Sequence, residues 1–206
     1  MALIDWTPLD SAFRLDGGTV RLRPPKASDF NEWSAVRAAS RAFLQPWEPV
    51  WAQDDLTRSA YRRRLDSWRR DMDQGLTYPF FVFSQQDGTM TGGITLSNVR
   101  RGVAQTATVG YWSSVHMARR GHTLAAVRAV TRFAFRTLSL SRLEAACLPA
   151  NQPSARLLLK AGFVEEGFAH AYLKINGEWR DHRLFGLTSS ERSQACPDDS
   201  GQDRPR

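Results

Sequence analysis

Two short stretches carry residue types and spacings suited to holding an anion and placing a hydroxyl. From Val109 to Leu124 the chain reads VGYWSSVHMARRGHTL, a strand-like run that ends in two arginines, a glycine, a histidine and a threonine. A helical pattern begins there. The first N–H groups of such a helix lack intrahelical acceptors, and its dipole adds partial positive charge. Gly121 admits a phosphate close to the backbone, and Arg119 or Arg120 supplies charge. A plain helix start with solvated arginines is the competing reading. The second stretch, NQPSARLLLKAGF, opens with Asn151 and Ser154 three residues apart. That spacing caps a helix, and it also sets an amide and a hydroxyl at one helix start.

The surrounding pattern supplies the elements that must hold these groups. TVRLRPP (19–25) alternates and meets two prolines, which reads as a strand. A helix is expected from about Ser28, an N-cap type residue, with Phe30, Trp33 and Val36 on one face. FLQPWEPVW (43–51) is expected to be an aromatic-rich loop, because two prolines stop a helix from running through it. From Asp55 to Gln74, Tyr61, Leu65, Trp68 and Met72 recur at helical steps beneath a basic outer face. YPFFVFS and TMTGGITLSNV form strands around the turn Asp87-Gly88, and QTATVGYWS is a third. Gly121 precedes a helix to about Leu138, and RLEAACL (142–148) is a buried strand. The helix after Asn151 has Pro153 in its first turn and Gly162 just past its end. A hairpin about Asn176-Gly177 closes the series. The order is α+β, with one mixed, mostly antiparallel sheet. Residues 1–16 form an N-terminal extension, 17–188 the domain, and 189–206 a polar tail expected to be disordered.

At 206 residues the chain holds enough apolar side chains for one packed core. No apolar run approaches the roughly 20 residues of a membrane helix. The start MALIDWTPLDSAF lacks a signal pattern, so a cytoplasmic location is expected. Cys147 and Cys196 give neither a disulfide framework nor a metal pattern, and His116, His122, His170 and His182 are scattered. A metal is therefore not expected. The formal charge of +7 and a pI of about 10.1 suit anionic partners such as nucleic acid, a ribosome or a phosphorylated cofactor, without choosing among them.

Both stretches, in this order and after Gly110-Tyr111-Trp112, resemble the GNAT superfamily of N-acetyltransferases. Within it the chain is similar to the RimJ/RimL group, which acetylates the N-termini of ribosomal proteins. FLQPWEPV, SNVRRG, NQPS, AGFVEEGF and INGEWRDH stand in that group's order and spacing, over about residues 17–188. The resemblance implies a GNAT fold in which the strand at Val109–Tyr111 splays from that at Arg142–Leu148. Acetyl-CoA would enter the V-shaped slot. Backbone groups of Val109, Gly110 and Tyr111 would hold its acetyl and pantetheine amides, and N–H groups of Arg119, Arg120, Gly121, His122, Thr123 and Leu124 its pyrophosphate. Asn151 would bond the pantetheine, and Ser154 would sit near the sulfur. The chain departs from the group's usual loop with Ala118, Thr123 and Ala125, and β-branched Thr123 narrows the phosphate approach.

Acetyl transfer needs a neutral amine, a donor for the developing oxyanion and a proton for the thiolate. The backbone N–H near Tyr111 is the oxyanion candidate. Ser154 is the proton donor, with Tyr172 second. An α-amine with a pKa near 8 loses its proton at pH 7 for about 1.4 kcal/mol, against about 4.6 kcal/mol for a lysine. An N-terminal acceptor can thus manage with a weak base. Glu48 could attract and relay the ammonium proton, or be a plain loop acid. Trp47 and Trp51 could wall a peptide channel or serve as core. Asn98 could hold the acceptor backbone or shape a turn. His182 and Asp181 could line the acceptor cleft or fix the last strand. The resulting expectation is acetylation of the N-terminal alanine of a small-subunit ribosomal protein, by a monomer or dimer, with possible ribosome or RNA contact. A small-molecule acceptor such as an aminoglycoside, and a non-catalytic RNA-binding module, are the alternatives.

Overall fold

A computed structural model describes residues 13–190, and residues 191–206 of the expected tail, with Cys196, lie outside the described residues. One sheet of eight strands organises them: β1 Leu15–Asp16, β2 Val20–Arg23, β3 Tyr78–Ser84, β4 Met90–Arg100, β5 Thr106–Ser113, β6 Arg142–Cys147, β7 Val164–Ile175 and β8 Glu178–Thr188. Their spatial order is β1-β2-β3-β4-β5-β6-β8-β7, and only β5 and β6 run parallel. This is the mixed, mostly antiparallel α+β sheet that the sequence predicts. It begins at Leu15, where Leu15 pairs with Leu22 and Asp16 with Arg21.

Five helices cover the two faces: α1 Phe30–Ala39, α2 Arg41–Leu44, α3 Arg58–Asp73, α4 His122–Arg136 and α5 Gln152–Lys160. The strand alternation explains the division. Phe80 and Val82 point into the larger core with Val127, Val130 and Phe133 of α4 and Leu158 of α5. Phe81 and Phe83 point the other way, to Trp33 of α1 and Tyr61 of α3, with Leu65 and Trp68 beside them. A strand covered on both faces has no polar side, which is why YPFFVFS is apolar throughout.

Two local expectations need correcting. Ser28 is not a helix cap: it lies in a 3-10 turn, Ala27–Asp29, and the α-helix starts at Phe30. Asp29 organises that turn, accepting from Lys26 N–H at 2.8 Å and from both terminal nitrogens of Arg23 at 2.7 and 2.6 Å. Nor is 43–51 all loop. Phe43 and Leu44 belong to α2, and Gln45–Trp47 forms a 3-10 turn with Pro46 in its first positions, where no N–H is needed.

Candidate functional site

Strands β5 and β6 pair over three positions only, Thr106 with Arg142, Ala107 with Leu143 and Thr108 with Glu144, and then separate. The result is a V whose apex is Thr108 and Glu144. Along β5 the backbone alternates. Ser114 N–H donates to Thr91 O of β4 at 2.8 Å, and Trp112 and Gly110 face Gly93 and Thr95 in the same sense. The antiparallel pattern therefore turns the backbone groups of Tyr111 and Val109 away from β4 and into the open V. Their side chains pack on the α4 side: Val109 is buried and Tyr111 half-buried.

At the mouth of the V stands the start of α4. Its N-cap is Gly121, with φ 84°, a left-handed conformation that suits glycine, and no side chain caps the helix. A Cβ at Gly121 would meet nothing within 4 Å, so the requirement is conformational and the outer side is open. Arg119 is also left-handed, with φ 63°. The first N–H groups of a 15-residue helix thus point outward without a capping side chain. Nδ1 of His122 is buried and has no hydrogen-bond partner among the described residues. Arg119 and Arg120 are exposed, and Thr123 and Leu124 are half-buried. These features suit a bound polyanion.

Inside the V a small hydrogen-bonded group joins three elements. The hydroxyls of Tyr111 and Ser154 lie 2.8 Å apart, bringing β5 against α5. Ser154 is not the helix cap: Asn151 is, its Oδ1 accepting from Ser154 N–H at 3.2 Å. The Ser154 hydroxyl is thereby free for other work. Burial pushes the Tyr111 hydroxyl up to about 12, so it keeps its proton at any working pH, although Ser154 pulls in the opposite direction. Burial also raises the Cys147 thiol, against the opposing influence of Arg183 and of a hydrogen bond with Ser154, which makes it an unreactive neighbour.

A cavity of about 620 Å3 opens at the apex, lined by Asp71, Leu76, Thr77, Asn98, Val99, Arg100, Thr108, Glu144 and Tyr172. Thr108 and Glu144 alternate with core residues Ala107, Val109, Leu143 and Ala145, so this cavity lies on the opposite face from α4 and α5. The slot and the cavity therefore approach one point from two sides. Asn98 has φ 50°, at a register shift between Ser97 and Arg100. Tyr172 follows Ala171, whose φ is 46°, within the irregular stretch between Ala169 and Leu173. Such a bulge re-aims a side chain. Asp181 holds it, accepting from Ala171 N–H at 2.8 Å, and that bond keeps its carboxyl below the usual range.

The other expected acceptor residues lie differently. Neither Trp47 nor Glu48 lines the cavity. The Oε1 and Oε2 atoms of Glu48 accept from the two terminal nitrogens of Arg37 at 2.7 Å each, and Oε2 also from Trp51 Nε1–H at 2.7 Å. The backbone carbonyl of Glu48 accepts from Asn176 N–H at 2.9 Å. This residue is a strut between α1 and the β7–β8 turn, and its ion pair with Arg37 leaves it poorly placed to relay a substrate's proton. His182 is buried, with Nδ1 3.0 Å from Arg180 O and its ring edge-on to Tyr172 at 5.6 Å. It backs Tyr172 and does not face the cavity. Sequence reading missed Arg37, the Tyr111 hydroxyl, Asp71 and Glu144. None of the four carries a local signal, because each depends on residues distant in the chain.

The Acetyltransferase (GNAT) domain family matches residues 19–164. The chain is 33% identical over 180 residues to "Probable N-acetyltransferase YjcK" of Bacillus subtilis (strain 168), covering 87% of this chain and 99% of that protein. It is 34% identical over 154 residues to the [ribosomal protein uS5]-alanine N-acetyltransferase of Escherichia coli (strain K12), covering 75% and 79%. In structure it is similar to Mycobacterium smegmatis RimJ in complex with CoA-disulfide, with TM-score 0.81, 32% identity and coverage of 89% and 92%.

Proposed function

The chain belongs to the GNAT acetyltransferase family, and from that premise we propose that it acetylates the N-terminal α-amine of a protein, with a ribosomal protein's alanine as the acceptor. The observation that carries a two-substrate transfer is the apex of the V, which is reached by the slot from one face and by the cavity from the other. Acetyl-CoA supplies the acetyl thioester. The relatives that match well include an alanine N-acetyltransferase of ribosomal protein uS5, which supports the choice of acceptor. A cytoplasmic location agrees with that acceptor, and among the described residues no helix is long and apolar enough to cross a membrane.

The residues fit these roles. The first N–H groups of α4, with Arg119 and Arg120, hold the pyrophosphate, and Gly121 keeps the loop in its left-handed turn. Val109 and Tyr111 offer backbone groups to the pantetheine and acetyl oxygens, and Tyr111 N–H faces the developing oxyanion. The Ser154 hydroxyl gives a proton to the departing sulfur and regains one from the proton that the acceptor amine releases to water, while the Tyr111 hydroxyl, which keeps its own proton, orients Ser154 at 2.8 Å. Asn151 fixes the turn of α5 that carries Ser154. Asn98 and Tyr172 meet the acceptor from the cavity side. An α-amine's modest pKa lets its proton leave to water without a dedicated base.

The test is thiol release from acetyl-CoA with mass spectrometry of the acceptor. The acceptors would be an alanine-starting ribosomal peptide, the same peptide blocked at its N-terminus, and an aminoglycoside. Acetylation of the free α-amine alone is expected; turnover of the aminoglycoside alone would replace the reading with a small-molecule enzyme. No turnover by a folded protein, with salt-sensitive RNA binding, would replace it with the RNA-binding module. In the same assay Ser154→Ala should lower kcat by about 10²-fold, with the KM for acetyl-CoA nearly unchanged. An unaffected kcat would take Ser154 out of the proton path.

A further inference from the structure

The cavity at the apex has an uneven charge, and one residue accounts for it. Three charged residues line it: Asp71, Glu144 and Arg100. Glu144 is already answered, by Arg100 Nη2 at 3.3 Å and by Arg142 Nε at 3.2 Å. Arg142 in turn grips Glu166. Asp71 differs. It sits in the last turn of α3, half-buried, and its backbone carbonyl accepts from Leu76 and Thr77 N–H at 2.8 and 3.4 Å. Its carboxylate has no hydrogen bond or ion pair among the described residues. On a chain of formal charge +7, the cavity that meets the slot thus carries two carboxylates against one guanidinium.

We propose that Asp71 receives and holds the acceptor's primary ammonium group at the apex of the V, an inference that rests on the acetyltransferase reading. A carboxylate in a partly water-excluded cavity attracts a cation more strongly than one in bulk solvent. The neutral lining beyond it suits the first side chain and peptide groups that adjoin an α-ammonium. Asn98 and Thr77 offer hydrogen bonds, Tyr172 a ring that is 46% exposed, and Leu76 and Val99 apolar surface. A volume of about 620 Å3 is within the ordinary range of ligand pockets, so it accommodates the leading residues of a chain. An ammonium held there occupies the same cavity that the apex pair Thr108 and Glu144 lines, the end of the slot that delivers the acyl group. Asp71 acts by binding and orientation; it favours the ammonium form, so the proton passes to water before the amine attacks.

The experiment is steady-state kinetics of the full chain with acetyl-CoA and an alanine-starting hexapeptide, together with calorimetric binding of that peptide. Asp71→Asn should raise the peptide's KM at least about tenfold and weaken its binding to match, while the KM for acetyl-CoA changes by less than about twofold. Asp71→Glu should recover part of the loss, and Asp71→Ser repeats the test if the asparagine variant fails to fold. An unchanged peptide KM in a variant of an active enzyme overturns the proposal. So does a joint rise of both KM values with a lowered melting temperature, which marks a structural role. A wild-type protein that turns over no peptide defeats the reading of a protein N-terminus as the acceptor. Equal calorimetric affinity of wild type and Asp71→Asn would then remove Asp71 as an ammonium site as well.

Discussion

Glu48→Ala should lower the melting temperature by about 6–20 °C, measured by calorimetry or circular dichroism on the purified protein. The cause is the partner it abandons. Arg37 is 7% exposed, clamped between the rings of Trp51 and Trp112 at 4.2 and 4.9 Å, and its charge is balanced by Glu48. Its Nε is buried and already without a partner. Removing the carboxylate leaves a guanidinium buried and unpaired, which costs about 3–5 kcal/mol. It also strands the Trp51 indole N–H, while the backbone bond from Asn176 to position 48 survives. Joining Arg37→Met to Glu48→Ala should recover part of the loss, because the charge and its partner then disappear together. An unchanged melting temperature with a collapsed rate would reverse the assignment and return Glu48 to the chemistry.

Gly121→Val should raise the KM for acetyl-CoA by about 10- to 100-fold, the loss of one or two hydrogen bonds to a charged group. No neighbour would clash with the added side chain. The difficulty is the backbone: φ 84° is hostile to a β-branched residue, so the turn must rotate. Rotation re-aims the N–H groups at the head of α4, the donors assigned to the pyrophosphate. Gly121→Asn is the useful control, since asparagine tolerates the left-handed region, and it should stay within a few-fold of the parent. Both variants are compared at equal folded fraction. A valine variant with an unaltered KM would refute the anion cradle and restore the plain helix start.

Legibility in the sequence depends on the distance between interacting residues. The Asn176-Gly177 turn is local and was readable: both residues are left-handed, with φ 46° and 87°, as a type I′ turn demands. Gly121 and the α4 pattern are local too, as is Asn151 capping three residues ahead. Strand β3 was readable because both of its faces are buried and it is apolar throughout. Pro46 misled, since a proline that ends one helix also starts a turn. The Tyr111–Ser154 contact spans 43 residues and depends on how β5 and α5 pack. The Arg37–Glu48–Trp51 group needs a loop to fold back on α1, and an arginine on a helix gives no sign of the rings that will enclose it. Asp71 reads as one more charge on a polar helix. Only the folded chain, which gathers residues of β4, β5, β6 and β7 with the end of α3 around one cavity, places it there. Strand β7 hid its bulge because nearly all of its side chains are exposed, leaving no alternation to break.

The short parallel pairing of β5 with β6 has a consequence for the sheet as a material. Eight strands ordinarily have two edges; this sheet has a third, running inward from its rim to Thr108 and Glu144. Main-chain amides that face it lie midway across the protein and yet lack the partner that slows exchange with deuterated water. The centre of the sheet should therefore label as fast as a border, and its two wings are joined by three rungs and the helices that bridge them. Whatever occupies the gap serves as a ninth strand, so its arrival would register as stiffening far from the residues it touches.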